Sequence, residues 1–338
     1  MLPIDHLHSF TRQFPDSKDV FKVMQKWHVK AEPKNGIFVP SVELHSLSHR
    51  LFVANQTGLF KGITTVDSMN DQQYDLVKFL WGCHLFGAWR NTLGIYRIDP
   101  DIAIDLLASP IPSDTPASIF ARLPEWCVYV EIPEKTLSMT SNDGIYETTE
   151  ILGFWALFDS DKKQSALNLV LNISSQDKSI YTCYQPLSLS LGEDMTVSEA
   201  VDALSNNDQI GDLQLINEEK KIILHLLSML LWLCANEPDI SNINGEPIPR
   251  FPPLMPQKRI NKKTGTFIPP EKPIIYDIGK RLGGEIRTFK DQIEQSGKMT
   301  ARKRPHIRKG HWHGVWKGAG QAKKFDVYWQ SAIFVNGN

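Results

Sequence analysis

The sequence predicts an α+β protein: helices packed on a mainly antiparallel sheet, followed by a proline-rich arm and a basic, β-rich C-terminal module. Three observations carry this. Segments 16–29 and 71–91 repeat apolar residues at helical spacing. "GFWALFDS" and "ALNLVLNI" flank the polar turn "DKKQS", as in a β-hairpin. After Glu237 the chain becomes dense in proline, which fixes extended backbone and denies a helix interior. The expected division is therefore 1–237 for the body and 238–338 for the arm and C-terminal module.

In chain order, "DSKDVFKVMQKWHV" opens on capping-type residues and aligns Val20, Val23, Met24 and Trp27, which predicts an amphipathic helix ended by Pro33 and Gly36. Residues 71–91 form a second helix that is apolar on most sides and so central. In "SDTPASIFARL", Thr115 is placed to cap a helix with Pro116 at its first position. "EWCVYVEI" then changes to strand period, and "SIYTCYQPLSLS" extends the hairpin sheet. Helices return in "TVSEAVDALSNN" and over Asn217–Asn236. Beyond the arm, "PIIYDIGKRLGGEIR", "RPHIRKGHWHGVW" and "KFDVYWQSAIFV" read as strands separated by glycine-containing turns.

With 41% hydrophobic and 22% charged residues in 338, the chain is neither fibrous nor disordered in composition. Its formal charge of −1 hides a strong asymmetry. Between Gln295 and Phe325 there are nine Lys and Arg and no acid, which leaves −10 on the remainder. Such polarity favours an anionic partner for the basic end. Cys83, Cys127, Cys183 and Cys234 are far apart in apolar runs, which fits buried thiols in a reducing cytoplasm rather than a zinc ribbon or CxxC pair. "MLPIDHLHSFTRQF" lacks the pattern of a signal peptide, and Ile222–Ala235 is too short for a membrane span, so no membrane association is expected.

No phosphate loop, dinucleotide fingerprint, GxSxG elbow or HExxH helix occurs in the sequence. His311 and His313 would share one face of a strand, with His306 as the nearest third ligand. No acid or cysteine lies in the segment to complete a metal site, so these are weak metal candidates. Glu150, Asp159 and Asp161 suggest a carboxylate cluster, but turn chemistry already explains the aspartates. Cys127 in "WCVYV" reads as a buried, inert thiol. Arg302, Arg304, Arg308, Lys309, Trp312, Trp316, Lys323 and Lys324 combine phosphate-neutralising cations with aromatic planes, the composition of an RNA contact. A second reading makes the same tryptophans structural. Trp89, Arg90 and Asn91, at a predicted helix end, have the composition of a protein-interface hot spot.

Several stretches together resemble a known family: "GAWRNTLGIYRID", "DTPASIFARLPEWCVYVEI", "LLWLCANEPDI", "INKKTGTFIPP", "IGKRLGGEIR" and "KRPHIRKGHWHGVWKGAGQAKKF". They are similar, in the same order, to the second-described type V-A anti-CRISPR family of phages and other mobile elements. "KVMQKWH" matches as well, whereas Phe38 to Asn70 match poorly. The resemblance implies a non-enzymatic, cofactor-free suppressor acting in the bacterial cytoplasm. It would recognise a segment of the type V-A effector nuclease as that polypeptide is made, with loss of the effector's mRNA through a host nuclease. The basic tail would then serve mRNA or ribosome contact, and Trp89, Arg90 and Asn91 would touch the peptide. The alternatives from other classes are a metal-dependent ribonuclease and a general RNA-binding protein of mobile elements.

Overall fold

Proline in the first turn, and an Asp5 carboxylate that accepts the Leu2 amide at 3.2 Å, start helix α1 (Pro3–Gln13), which the sequence reading did not anticipate. The computed structural model describes residues 2–31, 39–41, 43–44, 71–140, 148–160, 165–174, 186–192, 194–204, 217–248, 261, 268–296, 306–320 and 323–335. Helices α2 (Ser17–Ala31) and α3 (Asp71–Trp89) lie where the apolar periodicity placed them. Phe10 of α1 and Phe21 and Met24 of α2 are buried, as are Phe79, Leu80, Cys83 and Phe86 of α3. A Cβ at Gly82 would stand 2.1 Å from the Phe10 ring, so only glycine lets α1 seat that ring on α3.

These helices cover an eight-stranded sheet. Its strands are β1 (Gly94–Ile98), β2 (Cys127–Glu131), β3 (Ser138–Thr140), β4 (Thr148–Ser160), β5 (Ser165–Ile173), β6 (Leu187–Ser190), β7 (Ile240–Asn242) and β8 (Ile274–Ile278). The order is β6-β5-β4-β2-β1-β8-β7, with β3 on β4. β1 is parallel to β2 and β8, and the remaining pairs are antiparallel. A crossover through helix α4 (Pro100–Ala108) joins β1 to β2, as a parallel pair requires. Cys127 to Val130 and Gly153 to Phe158 are buried, so both faces of the sheet are covered at its centre. The class is α+β, as the sequence predicted.

The sheet runs across the expected division at residue 237: β7 and β8 follow it, and β8 pairs with β1 over five residues, Gly94–Ile98. Two expectations need correction. "PIIYDIGKRLGGEIR" is a strand only through Ile278, after which it forms helix α7 (Lys280–Ser296). Of the two glycines that suggested a turn, Gly283 serves packing instead. A Cβ at Gly283 would stand 2.1 Å from Asp99 Oδ1, and one turn later Arg287 places both Nη atoms 3.0 Å from the Asp99 carboxylate. Finally, Ala117–Arg122 is a 3-10 helix without a Thr115 side-chain cap. Backbone bonds from Ala117 to Met195 and from Val197 to Thr115 hold its start extended against the N-terminus of helix α5 (Val197–Leu204).

Helix α6 (Asn217–Cys234) packs on α4 and on the 3-10 helix. Two small antiparallel ladders follow: β9 (His306–Arg308) with β12 (Ile333–Val335), and β10 (His311–Lys317) with β11 (Lys324–Gln330). Among the described residues, no helix is long and apolar enough to cross a membrane.

Candidate functional site

The strand period decides which side chains of the basic segment reach solvent. Along β10, Trp312 is buried while His311 and His313 are exposed, the alternation of a hairpin with one face packed. Trp312 meets Trp329 edge-on at 5.0 Å and Trp232 of α6 at 6.0 Å. Its indole N–H donates to Ser228 Oγ at 2.9 Å, and the Ser228 hydroxyl donates to the Leu106 carbonyl of α4 at 3.3 Å. The Trp312 amide adds a bond to Ser109 Oγ at 3.2 Å. Arg122 donates to the Phe325 carbonyl, and Asn236 exchanges backbone and side-chain bonds with Val327. Of the two readings of Trp312, contact and structural, its burial and hydrogen bonds fit the structural one. Trp316 keeps 45% exposure, with its indole N–H 3.1 Å from Asp114 Oδ2.

The outer face of the hairpin carries His311, His313, Lys317 and Lys324, with Lys323 exposed just before it. Part of this charge is internally neutralised: Lys317 lies 2.9 Å from both Asp326 Oδ2 and the Tyr328 hydroxyl, and Lys324 lies 3.9 Å from Asp326. Arg308 and Lys309 are exposed just before it, while Arg302 and Arg304 lie outside the described residues.

The helix-end trio proves to be interior. Trp89 and Asn91 are buried, and the Trp89 indole N–H donates to the Gly94 carbonyl at 3.0 Å. Asn91 caps the end of α3, donating to the Gly87 and Ala88 carbonyls and accepting from Gln25. Arg90 is half-buried over the Phe21 ring at 5.0 Å, and burial pulls its pKa down to about 10. Trp89 and Asn91 are thus enclosed in this fold, and a helix C-terminus accounts for their polar atoms.

The metal and nucleophile candidates are not brought together. His306 belongs to the β9–β12 ladder and His311 and His313 to the β10–β11 ladder, and no group of three His, Cys, Asp or Glu able to hold a metal forms among the described residues. Glu150 and Asp159 sit nine positions apart on β4, about 30 Å along a strand. Asp159 accepts the Ser41 amide, and Asp161 lies outside the described residues. Cys127 is buried, and burial pushes its thiol far above its ordinary range.

A surface groove of about 760 Å³ was not visible in the sequence. Its floor is apolar and comes from α4: Pro100, Ile104, Leu107 and Ala108. The β2–β3 loop supplies Pro133, Glu134, Lys135 and Thr136, and α6 supplies Lys221 and His225. Lys309 closes it from the basic segment. Hydrogen bonds fix that corner, since the Gly310 amide donates to Asp105 Oδ2 and the Trp312 amide to Ser109. Burial, and then the Lys221 charge, lower the His225 pKa and keep that ring neutral at neutral pH.

The sequence model of the anti-CRISPR type V subtype A2 family matches residues 96–337, which include every lining residue of the groove. A solved structure, described as the crystal structure of AcrVA2, is similar with a TM-score of 0.76 and 37% identity, covering 98% of each chain. Protein FinQ of Escherichia coli is 23% identical over 235 residues. That match spans 65% of the chain and 65% of FinQ's own length. The family model's match over residues 96–337, and the 37% identity with the solved structure over 98% of each chain, place this chain in the anti-CRISPR type V subtype A2 family.

Proposed function

We propose that this protein blocks biogenesis of a type V-A CRISPR effector nuclease by recognising a segment of the effector polypeptide as it is made, with loss of the effector's mRNA following through a host nuclease. The role is one of binding and not of catalysis. Family membership sets the target class, and the observation that carries the mode of action is the groove beside Ile104. Its volume falls within the range that accommodates a ligand of several side chains, and it is lined by both apolar and polar groups. The site of action is the bacterial cytoplasm. There the exposed Arg308, Lys323 and Lys324, with Arg302 and Arg304, would contact mRNA or the ribosome.

Peptides tiled across a type V-A effector, captured on the purified protein at moderate salt with RNase present, test this reading. A single tightly bound, RNase-resistant tile is the expected result. Capture of no tile by the folded protein overturns it. A general RNA-binding role is the second reading, favoured by the exposed cations of the hairpin. It predicts affinity for RNA of any sequence that falls steeply with salt, and transcript loss that depends on Arg308 and Lys324.

A further inference from the structure

The groove combines two features that single out one class of occupant. Its floor presents aliphatic and proline side chains, including Ile104 at 52% exposure, a large aliphatic group left open to solvent. Its rim holds Lys135, Lys221 and Lys309 against a single carboxylate, Glu134. None of the three lysines has a carboxylate within 4.0 Å among the described residues. Asp105 stands behind the Lys309 corner, where its carboxylate is taken up by the Gly310 amide.

We infer that this groove binds an acidic polypeptide segment carrying aliphatic anchor residues, a deepening that rests on the reading of the protein as a polypeptide binder. Nucleic acid would also meet lysines, but sequence-tolerant binding of single strands uses aromatic platforms for the bases. No Phe, Tyr or Trp lines the groove among the described residues, and the nearby Trp312 is turned into the core. The floor instead matches leucine-, isoleucine- or valine-sized side chains, as in grooves that take an amphipathic segment. The lysines would steer an acidic segment in and fix its register. Lys309 links the groove to the basic hairpin, so the hairpin's rigid docking preorganises one corner of the rim.

Fluorescence anisotropy with the full-length protein tests the inference with three labelled probes: a short amphipathic peptide of leucine and glutamate, the same peptide with glutamine for glutamate, and an oligouridylate. The glutamate peptide should bind saturably and lose affinity with added salt. Ile104→Glu, and separately Lys221→Glu with Lys309→Glu, should each weaken it about tenfold or more, and the glutamine peptide should bind comparably poorly. All three positions are solvent-facing, so the variants should keep the parent thermal midpoint, and Lys221→Gln with Lys309→Gln should fall between parent and reversal. The inference is overturned if the folded protein ignores the glutamate peptide, if groove variants leave its affinity unchanged, or if Ile104→Glu abolishes oligouridylate binding instead. Effector tiles separate the two levels of the argument. A tile whose capture is indifferent to groove variants sinks the groove and spares the effector reading. Groove-dependent binding of the acidic peptide, with no tile captured, does the reverse.

Discussion

Trp89–Asn91 and Trp312–Lys317 have similar composition, tryptophan beside cations and polar residues, and the fold uses them in different ways. The first closes a helix packed on a sheet covered on both faces, so its indole and amide are consumed by backbone carbonyls. The second runs along a hairpin with one face packed, so Trp312 goes to the core between the exposed His311 and His313, and the strand's far end at Trp316 and Lys317 is open to solvent. Composition therefore marks neither segment as a contact surface. What decides is how many sides of the element are covered.

The contrast can be broken most directly at Trp312. If the hairpin is held by its inner face, Trp312→Ala should cost about 3–5 kcal/mol, read by chemical denaturation, and should loosen Lys309 at the groove. Trp312→Phe keeps ring packing but leaves Ser228 without its indole donor, and should cost about 1 kcal/mol. A Trp312→Ala protein of parent stability would mean that the inner face does not anchor the hairpin.

Glu125 sharpens the other half of the comparison, because it shows how closed the interior near Trp89 is. Burial pushes this carboxyl up to about 7, against the opposing pull of the Thr92 and Tyr96 hydroxyls. Its folded pKa lies above the unfolded value near 4.5, so the native state holds the proton more tightly. The associated stability is complete below pH 4.5 and is lost as pH rises to about 7, a total of about 3 kcal/mol. Glu125→Gln should flatten this slope and be the more stable protein above pH 7. Equal slopes for the two proteins in denaturation curves from pH 4.5 to 8 would show that the carboxyl is solvated.

Arg90 tests the same interior with a smaller and opposite effect. Its Nη1 is buried with no hydrogen-bond partner among the described residues. Replacing a partly desolvated guanidinium by an apolar chain of similar length removes a cost, so Arg90→Met should be neutral or stabilising by about 1 kcal/mol, with peptide capture unchanged. A loss of capture without loss of stability would restore Arg90 as a contact residue.

The elements legible in the sequence were those whose period is local. The helices over 17–31 and 71–89, the strands around Cys127 and the β4–β5 hairpin all carry their pattern within a dozen or so residues. Helix α7 was hidden by its adjacent glycines, and the role of Gly283 appears only when Asp99, far back in the sequence, is brought against it. The groove was hidden for the same reason: Ile104, Lys135, Lys221 and Lys309 come from four separate elements, and nothing near any one of them signals the others. The family resemblance, by contrast, was readable because it rests on ordered runs of residues and not on distant contacts.

The smallest effect belongs to the hairpin's outer face, and it separates binding from catalysis. His311 and His313 are exposed on one face of β10, opposite Gln330 and Tyr328, and their strand does not include His306. Replacing both with alanine should change stability by less than about 0.5 kcal/mol, as at surface positions without packed partners. If the protein acts by binding, the double variant should retain transcript loss in cells, and zinc or manganese should not raise the thermal midpoint of the parent. A metal ribonuclease built on these rings requires the opposite on both counts. Because the substitution leaves Trp312 and the inner face intact, loss of activity in a folded double variant would be chemical in origin and would move the functional centre from the groove to the hairpin's solvent face.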